Sequence, residues 1–135
     1  MQSRHLTLTI HASRASVFNL LADIENFPTW SGGFCEWIEL HCDGWWAYTS
    51  LGEFVVESMV DDIAGAIDLR LRHVSGWMIL LPLRVRTDGA GGSIVNLTCR
   101  QVSGMTDHDY ERLFDTLIVG LRQLSDRVQP ELAVA

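Results

Sequence analysis

The chain has 135 residues, enough for one domain that buries about two-thirds of its unfolded-chain surface. A hydrophobic content of 47% excludes a disordered chain, and a net charge of −7 without any basic run excludes nucleic acid or an anionic membrane surface as the main partner. Three cysteines, Cys35, Cys42 and Cys99, form no CxxC pair, which argues against a disulfide framework and fits a reducing cytoplasm.

The N-terminal stretch MQSRHLTLTIH has no apolar signal-peptide core. Its residues 5–11 alternate strictly: Leu6, Leu8 and Ile10 face one side, His5, Thr7, Thr9 and His11 the other. That pattern predicts a half-buried strand. Ser13 is placed to cap a helix running to about Asp23, with Val17, Phe18, Leu20 and Leu21 on its buried side. Pro28 then interrupts the pattern and is expected to push Phe27 out of helical geometry, with a second short turn near Thr29–Gly32.

From Phe34 to Ser103 strand patterns alternate with turn signals at Asp43-Gly44, Leu51-Gly52, Asp62 to Gly65, Ser75-Gly76 and Asp88 to Gly92. Six strands are predicted, near 34–41, 45–50, 53–60, 66–74, 77–87 and 93–102. Short turns make neighbours antiparallel, so the segment reads as a meander. Charges fix the facing. Asp68, Arg70 and Arg72 turn one way, so Ile67, Leu69, Leu71 and His73 turn inward. Arg84 and Arg86 share parity with Met78 and Leu80, which turns Trp77, Ile79, Leu81, Leu83 and Val85 inward. Asn96 and Arg100 point out, and Val95, Leu97, Cys99 and Gln101 point in. Trp45 and Trp46, adjacent on one strand, must point to opposite faces, and a homodimer or another partner is one way to cover the outer one. The longest apolar run, GWMILLPL, is too short to span a bilayer, so no stable membrane insertion is expected.

Residues 107–128 predict a last helix, about 30 Å long, with Tyr110, Leu113, Phe114, Leu117, Leu121 and Leu124 in one stripe and Pro130 marking its end. No internal repeat, linker or low-complexity segment is evident. The expected organisation is one domain over residues 1–135, with an ordered core from about 4 to 128.

Two stretches carry a family resemblance: IHASRASVFNLLADIENFPTW, a strand leading through Ala12-Ser13 into a helix and an aromatic-Pro-Xaa-Trp bend, and the closing DYERLFDTLIVGLRQL. With the element order, they make the chain similar to the START-like helix-grip superfamily (SRPBCC), which includes pollen-allergen-like and polyketide cyclase/dehydrase-type proteins. The resemblance implies an α+β fold: a curved seven-stranded antiparallel sheet wrapped around a long C-terminal helix, with two short helices after strand one. It also implies an apolar cavity between sheet and helix. Combined with the facing above, the lining would come from Trp30 of the bend, from Val56, and from Leu69, Leu71 and His73. Further along the chain it would come from Trp77, Ile79 and Leu81, from Val95, Leu97, Cys99 and Gln101, and from Phe114, Leu117, Gly120 and Leu121.

No catalytic or cofactor signature accompanies this frame: GxSxG, P-loop, GxGxxG and HExxH patterns are all missing from the sequence, and no cofactor is expected. His5 and His11 share a face but lie about 20 Å apart, too far to chelate one metal. In His41-Cys42-Asp43, adjacent residues point to opposite faces, so no metal site is expected there either. His73 reads either as a group bonding a ligand carbonyl or as a strand-end histidine bonded to backbone near Ser75. Gly120 reads either as room for a ligand or as close packing. Three functions are compatible with these residues: a carrier of a small lipophilic molecule, a polyketide cyclase, aromatase or dehydratase with His73 or Gln101 polarising a carbonyl, and a protein-interaction module with a collapsed cavity.

Overall fold

The computed structural model describes residues 2–134, with side chains for residues 2–126. Strand β1 (Ser3–Ile10) is followed by helix α1 (Arg14–Ala22), a turn of 3-10 helix (Ile24–Asn26) and the short helix α2 (Phe27–Trp30). Then come β2 (Cys35–His41), β3 (Gly44–Thr49), β4 (Gly52–Asp61), β5 (Ala66–His73), β6 (Met78–Thr87) and β7 (Ser93–Arg100), and last α3 (Asp107–Val134). The seven strands form one antiparallel sheet in the order β1-β7-β6-β5-β4-β3-β2.

The facing read from charge parity holds. Ile67, Leu69 and Leu71 of β5, Ile79, Leu81, Leu83 and Val85 of β6, and Val95, Leu97 and Cys99 of β7 are all buried. They pack in one core with Tyr110, Leu113, Phe114, Leu117, Leu121 and Leu124 of α3. The Tyr110 hydroxyl donates to the Cys99 carbonyl at 2.6 Å, tying the start of α3 to the end of β7. On the β1 side the Arg4 guanidinium lies 5.7 Å from the Tyr110 and Phe114 ring centres.

Two local expectations need correction. Helix α1 ends at Asp23, as its pattern predicts, but Pro28 makes no break. Asp23 is extended (φ −79°, ψ 111°), ends α1, and accepts from the Glu25 amide at 3.0 Å to start the 3-10 turn. Phe27 stays helical at φ −56°, ψ −45°. Pro28 sits in the first turn of α2, where a missing N–H leaves no bond unmade. Complete burial of Phe27 and Trp30 offsets the unfavourable helical geometry before a proline. At the other end, α3 runs past Pro130 to Val134. A proline removes one helical hydrogen bond and need not end the helix.

Pro82 leaves a mark on the sheet. It lies in β6, an interior strand, where a proline cannot donate to the ladder. The β6–β7 pairing runs from Thr87↔Ser93 to Leu83↔Leu97 and stops there, one residue before Pro82. Across the other edge of β6 the β5 pairing continues through Asp68↔Pro82 to Arg72↔Met78.

Candidate ligand-binding cleft

Along β4, Phe54, Val56, Ser58 and Val60 share the inner face by parity. Phe54 and Val56 are buried, but Val60 is 48% exposed although its β5 partner Ile67 is fully buried. The inner face is therefore uncovered at that end. The opening is a cleft of about 570 Å3 between the end of α1 and strands β3–β4. Ala22, Asp23 and Ile24 form one wall, and Gly44, Trp45, Val56, Glu57, Ser58 and Val60 the other. The break at Asp23 sets the first wall by turning the chain away from the sheet. Parity sets the second. Ala47 is fully buried, so Trp45 faces inward beside Val56, its cross-strand partner.

The lining is mainly apolar. Glu57 turns to the outer face, 3.8 Å from Arg70, and the Asp23 carboxylate stands at the mouth. No lysine or arginine lines it. Deeper in the core, the Trp30 indole Nε1–H is buried without an acceptor, the one such buried side-chain polar atom among the described residues.

Of the residues expected to line a cavity, Val56 lies in the cleft wall. Trp30, Leu69, Leu71, Ile79, Leu81, Val95, Leu97, Cys99, Phe114, Leu117 and Leu121 are buried and packed in one cluster. A chain of rings occupies the interior from α2 towards the β5–β6 turn. Trp30 meets Phe27 at 5.0 Å, Phe27 meets Phe34 at 6.4 Å, Phe34 meets Phe54 at 6.4 Å, and Phe54 meets Trp77 at 5.3 Å.

The polar candidates are engaged. His73 stacks on Trp77 at 4.7 Å, and its Nδ1 accepts from the Ser75 amide at 3.0 Å. Its Nε2 lies 3.2 Å from the Leu51 carbonyl, so that nitrogen carries the proton. This matches the backbone-bonded reading of His73. The Gln101 amide nitrogen donates to the Met105 carbonyl at 3.1 Å and to Asp107 at 2.8 Å, while its oxygen accepts from the Gln2 amide at 3.3 Å. Burial pushes the Cys99 thiol up to about 12 and the Cys35 thiol up to about 11. Gly120 faces the backbone of Trp30 and Gly32 rather than the sheet.

Sequence parity did not single out Ala22, Asp23, Ile24, Trp45 or Val60. The signal was present for Val60, whose inward parity was legible. What covers that end of β4 depends on where α1 stops.

No protein-family model matches the sequence, and no curated protein matches it. Solved structures do match. XoxI from Bacillus cereus superposes with a TM-score of 0.73 at 14% identity, over 95% of this chain and 96% of that one. The Zhui aromatase/cyclase from Streptomyces sp. R1128 gives 0.70 at 15% identity, over 97% and 96%. A START superfamily protein from Mycobacterium smegmatis gives 0.66 at 12% identity, over 95% and 97%. The chain has the START-like helix-grip fold. No helix among the described residues is long and apolar enough to cross a membrane.

Proposed function

We propose that this START-like chain binds a small, neutral lipophilic molecule in the cleft between α1 and β3–β4. The observation that carries the reading is Val60, an inward-facing apolar residue left 48% exposed beside Trp45 and Val56. An open depression with a mainly apolar lining suits such a ligand. The absence of a cation from the lining disfavours a carboxylate or phosphate. A cyclase reading finds less support, because the ring nitrogens of His73 and the side-chain amide of Gln101 are already bonded within the protein.

Native mass spectrometry of freshly purified protein, before and after incubation with dodecanol, tests the proposal. The expected result is a one-to-one adduct. An apo mass in both samples contradicts it. A homodimer is proposed as a second association, along the free edge of β2, where Trp37 is 48% and Leu40 67% exposed. Light scattering that gives a monomer mass at high concentration would rule it out.

A further inference from the structure

The outer face of the sheet carries a second surface, unconnected with the cleft. Five of the ten basic residues of this acidic chain, Arg70, Arg72, Arg84, Arg86 and Arg100, point outward from β5, β6 and β7. Two adjoining depressions, about 220 and 410 Å3, share Leu80, Pro82 and Arg84 as a common floor. Together they make a groove along one cross-strand row. Met59 pairs with Asp68, Asp68 with Pro82, and His5 with Thr98 on the far side of the interrupted β6–β7 ladder. The groove therefore crosses the place where Pro82 ends strand pairing. Five strands at about 4.8 Å spacing give it a length of about 19 Å, the span of about six extended residues.

Its chemistry is amphipathic. Leu80 is 53% and Met59 60% exposed in the floor. Arg70, Arg84 and Arg100 border it against the single carboxylate Asp68, which Arg84 meets at 2.6 Å. Arg100 forms no ion pair among the described residues, and Arg70 meets Glu57 only at 3.8 Å. We infer that this groove docks an extended acidic segment of a partner protein, about six residues long, with an apolar side chain over Leu80 and Pro82 and carboxylates reaching Arg70 and Arg100. Arginine forks suit carboxylates, and an apolar floor adds a contact that a nucleic-acid backbone does not use. The net charge of −7 further disfavours a long polyanion.

The test uses the full chain and a fluorescein-labelled, end-capped hexapeptide with glutamates at its ends and leucines in its middle. Expected are a saturable rise in anisotropy that weakens with added salt, and amide shifts confined to Arg70, Leu80, Arg84, Thr98, Arg100 and their neighbours. Arg70→Glu/Arg100→Glu should weaken binding about tenfold, the sum of two exposed charge contacts. The charge-neutral pair Arg70→Gln/Arg100→Gln should act in the same direction, and serves if the reversal lowers the melting temperature. Leu80→Ser should weaken binding independently of salt. Absence of saturable binding, equal binding of a peptide with lysine for glutamate, or an unchanged affinity in both double variants overturns the inference. So does single-stranded oligouridylate that binds more tightly through the same arginines, or self-association that the double variants abolish.

Discussion

Gly32 and Gly120 stand backbone to backbone, so that the end of α2 rests directly on α3. A Cβ on Gly32 would lie 2.8 Å from the Gly120 nitrogen and nearer still to the Thr116 carbonyl oxygen; one on Gly120 would collide with the Trp30 carbonyl and the Gly32 amide. Gly32 also has φ +70°, where a side chain is strained in any case. Mid-helix glycine normally costs about 1 kcal/mol relative to alanine. Here the sign reverses. Gly120→Ala should destabilise by about 1–3 kcal/mol in urea denaturation, because rigid backbone blocks the added methyl. A variant as stable as the parent would mean that α2 does not seat on α3 in this way.

His73 should behave as a structural residue. His73→Leu leaves the Leu51 carbonyl and the Ser75 amide without their ring partner. The expected loss is about 1–3 kcal/mol. Uptake of a neutral lipophile should be unchanged at temperatures where the variant stays folded. A neutral effect on stability combined with lost uptake would return His73 to the ligand.

The three thiols should separate cleanly. Cys42 is exposed, whereas Cys35 and Cys99 are buried with thiols pushed up to about 11 and 12. Iodoacetamide on the native protein at pH 8 should therefore add one label per chain, at Cys42, and three in denaturant. Native labelling of Cys99 would show that α3 opens from β7.

Acid should loosen the outer face of the β2–β3 hairpin. The Glu39 carboxylate accepts from Trp37 Nε1 at 3.2 Å and Tyr48 Oη at 3.2 Å and lies 3.0 Å from His41 Nε2, while Trp37 and Tyr48 stack at 4.6 Å. These bonds, that from His41 foremost, hold Glu39 below the ordinary carboxylate value of 4.5. A carboxyl depressed in the folded state contributes stability above its unfolded value, and that contribution is lost as pH falls through the folded one. The carboxyl titration of Glu39 followed by NMR should thus have its midpoint below 4.5. Glu39→Gln should remove most of the acid-dependent change in Trp37 emission. A midpoint at or above 4.5 would contradict these bonds to Glu39.

The strands of this fold were legible because single charges decide parity: Arg70 and Arg72 alone turn Leu69 and Leu71 inward. The stripe on α3 was legible through helical periodicity. The cleft was not. It depends on the angle at which α1 stops, set by one extended residue, Asp23, while the conspicuous breaker in the sequence was Pro28. Gly120 was expected at a cavity between sheet and α3; a helical position names a direction, not the element standing there, and the end of α2 fills that space. The outer groove follows from an interaction that no one-strand pattern contains, the loss of pairing between Pro82 and β7.

Ligand binding at the cleft is tested most directly by a Nile red titration of the wild-type chain beside Ala22→Trp and Val60→Arg. Each variant changes one wall of the cleft: the first fills it, and the second puts a cation on a residue already exposed at its mouth. Expected are saturable, blue-shifted emission with the wild type, loss of that signal in both variants, and melting temperatures within a few degrees of the parent. Undiminished Nile red binding by both folded variants would contradict a ligand site at this cleft.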